Sequence, residues 1–215
     1  MRKSWIAAVA LMVPMMVRGQ VVTFDGLPTS AHGTNTLGTG TIPAGYDGFD
    51  WSGFTVGSGS QYFDTGYLVG TVSGPNFAFP SGDTEDGSPG AVGTISSANP
   101  FVFSGGYFTA GDQEGYPIVV TGALNGVTAY TDTLSLSSAV ATYYTFPTDS
   151  ITQLTFTNTT IDANNIPVLD NLAFNGADGM ITTTPEPSTC VLLGIGLLGL
   201  VPVVRRRSLH RTKDQ

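Results

Sequence analysis

Apolar residues recur along most of this chain in short bursts, divided by Gly, Pro, Asn, Asp and Ser, and no ten-residue stretch between Gln20 and Thr184 has a helical period. The bursts predict strands at 21–24, 49–56, 67–72, 101–109, 118–122, 127–133, 143–146, 151–158 and 168–174. Asn125-Gly126 lies between two of them and predicts a tight hairpin turn. The Gly-rich stretch from Gly82 to Gly93, with Asp83, Glu85 and Asp86, predicts an exposed loop. Many short strands separated by frequent turn signals predict an all-β, antiparallel β-sandwich or jelly roll.

Two segments break this pattern. Near the start, Arg2 and Lys3 precede an apolar run from Trp5 to Val17, and Val17-Arg18-Gly19 offers modest side chains for cleavage before Gln20. This predicts a signal peptide over 1–19, with an uncleaved anchor as the alternative because Arg18 is unusual at such a site. Near the end, Thr184-Pro185-Glu186-Pro187-Ser188-Thr189 leads into an apolar run from Cys190 to Val204, closed by Arg205-Arg206-Arg207. Basic residues beside an apolar span stay on the cytoplasmic side, so the preceding chain is expected to face outward.

The apolar run from Cys190 to Val204 is fifteen residues, and as a helix it covers roughly 23 Å. A hydrocarbon core is about 30 Å thick, and Gly194, Gly196, Gly199 and Pro202 weaken the helix further. A short, Gly-loaded transmembrane helix suits a temporary anchor. The predicted organisation is a signal peptide over 1–19, an exported domain over 20–180, a polar linker over 181–187, an anchor over 188–204 and a basic tail over 205–215.

Charge placement sharpens the picture. All eight basic residues lie before Gln20 or after Thr184, while the segment between holds twelve Asp plus Glu85 and Glu114, a formal charge of −14. A domain without cations cannot clamp phosphates, which excludes nucleic acid as a partner. Any buried carboxylate here must find backbone N–H groups, a proton or a metal ion. The sole cysteine, Cys190, sits in the anchor, so the exported domain has no disulfide.

Catalytic signals are sparse. Glu85 and Glu114 are the obvious acids for glycoside hydrolysis, yet both sit in loop sequence with no Lys or Arg to bind substrate. The one His of the segment, His32, is remote from any serine-nucleophile motif. Asp83-Thr84-Glu85-Asp86-Gly87 lacks the spacing of an EF-hand. The expectation is a protein that is not an enzyme. Sugar recognition needs no cation, and Trp51, Tyr46, Tyr62, Tyr67, Tyr107 and Tyr116 supply candidate aromatic faces, Trp51 foremost as a ligand-binding residue. The alternative is that half or more of these aromatics are core.

The C-terminal segment resembles the PEP-CTERM sorting signal, carried by Pro185-Glu186-Pro187, the run Val191–Leu200 and the cluster Arg205, Arg206 and Arg207. The tail from Ser208 to Gln215 is longer than in many such signals. The resemblance implies processing by an exosortase, a membrane cysteine protease that removes the anchor near the tripeptide, after export by signal peptidase and the general machinery. A simple tail anchor on a proline-rich stalk is the alternative.

The segment before it resembles jelly-roll domains of exported PEP-CTERM proteins, related to carbohydrate-binding modules, through Phe103–Thr109, Val119–Gly122 with Asn125-Gly126, and Val168–Phe174. That resemblance implies that the first and last strands pair. It also implies a structural calcium where they meet, with Asp25 and Asp170 as its ligands. The residues themselves leave a second reading open, in which Asp25 caps a turn with Gly26 and Asp170 bonds nearby backbone. The expected role is structural or exopolysaccharide-associated, at the cell surface or in biofilm matrix, with a carbohydrate-binding module as the alternative.

Overall fold

The computed structural model describes residues 19–30, 39–61, 65–82, 90–159 and 166–176. The chain divides into two compact units, Met1–Met180 and Ile181–Gln215. The second unit, the expected signal peptide and the expected anchor lie outside the described residues, and among the described residues no helix is long and apolar enough to cross a membrane.

The first unit is all-β. Its strands are β1 (Gln20–Val22), β2 (Gly40–Thr41), β3 (Asp50–Ser52), β4 (Phe54–Ser58), β5 (Asn76–Pro80), β6 (Val92–Phe101), β7 (Phe103–Ala110), β8 (Tyr116–Leu124), β9 (Val127–Leu136), β10 (Thr142–Thr145), β11 (Ile151–Asn158) and β12 (Pro167–Phe174). One sheet runs β10-β7-β12-β5-β4-β2 with β1 also on β12, and the other runs β3-β6-β11-β8-β9. Every pairing is antiparallel. The first and last strands pair, Val22 opposite Leu172.

The two sheets bury one common core. Phe54, Phe103, Phe108, Leu172 and Phe174 from the first sheet meet Ile95, Ile118, Val120, Leu154 and Phe156 from the second. Strand β8 reads buried and half-buried in alternation from Tyr116 to Ala123, as a strand with one wet face must. Strand β12 is different, because all eight residues are buried. A second, smaller cluster of Tyr67, Phe77, Phe79, Ile166 and Val168 is the reason: it covers the outer face of the first sheet there.

Several expected boundaries shift. The strand expected at 49–56 is two strands in different sheets, β3 and β4, with Gly53 as the corner. Gly53 has φ of +66°, and a Cβ there would sit 2.1 Å from the Val92 carbonyl oxygen, so a side chain is excluded on two counts. Its own carbonyl accepts hydrogen bonds from the N–H groups of Ser81 and Gly82, which fix the corner.

The strand expected at 67–72 is instead a single helical turn, α1 (Gly66–Gly70), followed by an extended loop. Tyr67 is buried against Phe77, and the Gly66 N–H donates to the Gly111 carbonyl at 2.7 Å. Thr71 Oγ1 closes the turn on the Leu68 carbonyl at 2.7 Å. Strand propensity at Val69 and Val72 loses to these tertiary contacts. Val92 and Gly93, expected in a loop, open β6. The run expected at 101–109 is interrupted at Val102, whose N–H and C=O are both taken by Asn175.

Candidate functional site

The densest polar site of the described residues surrounds Asp170, which is fully buried. Its Oδ2 accepts the Val72 N–H at 2.7 Å and the Ser73 N–H at 2.9 Å. Its Oδ1 accepts the Asn171 N–H at 2.7 Å and the Ser73 hydroxyl at 3.0 Å. Asn171 has φ of +49°, and this kink turns its N–H onto the carboxylate. Burial pushes the Asp170 carboxyl up to about 6, against the pull of the hydrogen bonds from Ser73, Asn171 and Val72. In a segment without cations these donors replace the missing ion pair.

Asp25 stands at the next residue of the same loop. A Cβ on Gly74 would lie 2.3 Å from Asp25 Oδ1, so the carboxylate is packed against that backbone. Asp25 Oδ1 is buried with no hydrogen-bond partner. The two sequence-predicted carboxylates thus flank one loop, Val72–Gly74, from the first and last strands. They are not equivalent: Asp170 has its lone pairs engaged, whereas Asp25 has an acceptor to spare. Among the described residues no group of three or more His, Cys, Asp or Glu gathers as a metal cluster, so further ligands would be backbone or amide oxygens.

Trp51 is half-buried and packed against the core. Its indole N–H donates to the Tyr46 carbonyl at 2.9 Å, and its ring meets Phe24 and Phe54 edge-on, at 5.8 and 5.3 Å. Tyr46 in turn donates to the Thr23 carbonyl at 2.5 Å. Trp51 therefore ties the turn after Pro43 to the first strand. Of the other aromatics, Tyr67 and Tyr116 are buried, and Tyr62 lies outside the described residues. Tyr107 is half-buried and meets Tyr143 edge-on at 5.1 Å.

Glu114 anchors a loop. It accepts the Ser138 N–H and the Ser137 hydroxyl, each at 2.9 Å, and these bonds hold its carboxyl below the usual range. A general acid for glycoside cleavage needs the opposite shift. Glu85 and His32 lie outside the described residues. A groove of about 390 Å³ at one end of the sandwich is lined by Phe101, Val102, Thr148, Ser150 and Asn175, with no charged side chain.

Sequence reasoning missed the partner loop of Asp170. Val72-Ser73-Gly74-Pro75 is a turn-forming cluster, but nothing local ties it to a strand ninety-seven residues later.

The sorting residues Pro185, Glu186, Pro187, Arg205, Arg206 and Arg207 lie outside the described residues, and here comparison decides. The PEP-CTERM protein-sorting motif matches residues 183–208. This chain carries a PEP-CTERM sorting signal. The motif holds all six predicted residues, from the proline tripeptide to the arginine cluster. No curated protein matches the chain. Among solved structures it is similar to a mutant of a family 29 carbohydrate-binding module, at 10% identity and a TM-score of 0.37, over 79% of this chain and 99% of that one. It is also similar to the GH31 module CBM32-2 bound to GalNAc, at 12% identity and a TM-score of 0.32, over 73% of this chain and 96% of that one.

Proposed function

We propose that this chain is an exported, non-catalytic β-sandwich protein, processed by an exosortase at its C-terminal signal and delivered to the cell surface or exopolysaccharide matrix. The observation that carries the reading is the sorting motif at 183–208, directly after a self-contained antiparallel sandwich. Exosortase is the implied partner, with signal peptidase acting at the opposite end near Gly19. The jelly-roll form of the sandwich belongs to the same reading, supported by the pairing of β1 with β12.

Composition supports the destination. A segment with fourteen carboxylates and no Lys or Arg stays soluble outside the cell and is repelled by anionic surfaces unless divalent cations intervene. The role assigned is structural or exopolysaccharide-associated, and polysaccharide is the partner class. A structural calcium at Asp25, with Asp170 beside it, is part of this proposal; the orphaned Asp25 Oδ1 supports it.

Intact-mass measurement of the protein from its native host, with cell fractionation, tests the reading. The expected species begins near Gln20, ends near Pro185-Glu186-Pro187 and is found at the surface or in the medium. A membrane-bound species that retains Arg205–Gln215 would overturn it in favour of a tail-anchored envelope protein.

A further inference from the structure

The wet face of the second sheet carries a row of hydroxyls that crosses all five strands. The pairings Ser52↔Thr94, Thr94↔Thr155, Thr155↔Thr121 and Thr121↔Thr131 place one hydroxyl residue from each strand on a single transverse line. Each alternates with an inward neighbour, such as Ile95, Leu154 and Val120, so all five face away from the core. At roughly 4.8 Å per strand the row is about 19 Å long. Only Thr121 and Thr131 are printed close to each other, hydroxyl to hydroxyl at 3.3 Å.

Charge distinguishes this face from the rest of the molecule. Strands β6, β11 and β8, its three central strands, contain no Asp, Glu, Lys or Arg, although the exported segment has a formal charge of −14. Random placement of fourteen carboxylates would not spare the centre of a sheet whose outward side chains are wet. On one side of the row stands Gln153, opposite Ser96 and Ala123; on the other stands Val119, opposite Thr157 and Thr133. The face thus offers hydrogen bonds along its line and on one flank, with an apolar strip on the other.

We infer that this hydroxyl row is a binding face for a single neutral polysaccharide chain, lying across the strands. The inference rests on the polysaccharide partner proposed above and names its chemistry and its site. A sugar ring has the same mixture of C–H faces and hydroxyl edges, and a neutral chain approaches an uncharged strip without desolvating a carboxylate. Each strand advances by about the length of one hexose unit in an extended chain. Sheet twist excludes a rigid lattice: at roughly 20–25° per strand it turns the row by roughly 80–100° from end to end. A flexible chain follows that path, whereas ice or a crystalline fibre meets only part of it.

Binding of the full chain, held in a non-glycosidic detergent, to mixed-linkage β-glucan, galactomannan, dextran and alginate by affinity electrophoresis tests this. At least one neutral polymer is expected to retard the protein in the presence of chelator, and alginate is not. The isosteric triple variant T94V/T121V/T155V removes three hydroxyls while keeping β-branched side chains. It should bind roughly tenfold more weakly or worse, with an unchanged unfolding midpoint. Thr121→Glu, a single charge on the row, should weaken binding as well. Tyr107→Ala and Tyr143→Ala, on the opposite sheet, should leave binding intact.

No retardation by any neutral polymer would overturn the inference, as would unchanged binding in the valine variant, loss confined to the tyrosine variants, or thermal hysteresis of ice growth in place of glycan binding. A chain processed and found at the surface but blind to neutral glycans would sink this inference alone and leave the delivery reading standing.

Discussion

Asp170 and Ser73 are ninety-seven positions apart in the chain and touch through both Ser73 donors: its N–H at 2.9 Å and its hydroxyl at 3.0 Å from the carboxylate. This contact ties the last strand to the loop after α1 and closes the outer face of the first sheet. Asp170→Asn replaces one acceptor oxygen by a donor, which then faces Val72 and Ser73 or Asn171 N–H groups. The expected loss is about 1–3 kcal/mol in urea unfolding.

The pH dependence has an unusual sign for an aspartate. The folded carboxyl is raised to about 6 from its ordinary 3.8, so the native state holds the proton more tightly than the unfolded chain. The associated stability is fully present below about pH 4 and is lost as pH rises through about 6, a swing of roughly 3 kcal/mol. Wild type should therefore lose more stability between pH 4.5 and 7.5 than Asp170→Asn does. Parallel pH profiles for the two proteins would refute the assignment.

At the corner between the two sheets, Gly53→Ala places a Cβ on the Val92 carbonyl in a left-handed conformation. Loss of roughly 2–4 kcal/mol is expected. A melting temperature within one degree of wild type would mean that the corner relaxes freely.

The β8–β9 turn gives a graded test. Asn125 and Gly126 both have positive φ, +51° and +81°, and the Asn125 N–H donates to Thr152 Oγ1 at 2.9 Å. Asn125→Gly should be nearly neutral, while Asn125→Ala should cost about 1 kcal/mol. Equal effects of the two would contradict a mirror-type turn.

Trp51 is expected to behave as a packing residue. Trp51→Ala should lower stability by about 3 kcal/mol, and Trp51→Phe, which keeps the ring but loses the bond to Tyr46, by about 1 kcal/mol. Unchanged stability combined with lost glycan binding would make Trp51 a ligand contact instead.

Calcium gives a direct comparison of the two carboxylates. A bound ion raises stability by about 2.7 kcal/mol at a hundredfold excess over its dissociation constant, so the melting temperature should rise by several degrees with calcium and fall with chelator. Asp25→Asn should abolish the response. A response absent at millimolar calcium would leave Asp170 as a loop anchor alone.

The strands that were legible in sequence are those whose partners permit one wet face. Ile151–Asn158 and Val168–Phe174 were readable from β-branched and aromatic runs, and Asn125-Gly126 from its turn chemistry. Strand β5 was not, because Asn-Phe-Ala-Phe-Pro between Pro75 and Ser81 reads locally as breakers. Its burial on both faces comes from β4, β12 and the Tyr67 cluster. Tyr67–Val72 failed in the opposite direction, since local strand propensity yielded to the contacts of Gly66 and Tyr67.

By itself the sequence determined the all-β class, the absence of cations from the central segment and the sorting signal at 183–208. Each is written in contiguous residues or in composition, and neither requires knowing what the chain folds against. Only the tertiary structure decided that Asp170 meets Ser73, that Trp51 is packed, and that five hydroxyls from five strands fall on one line. Those depend on strand order and register, which are fixed by how two sheets bury one core and carry no mark in any short stretch of chain.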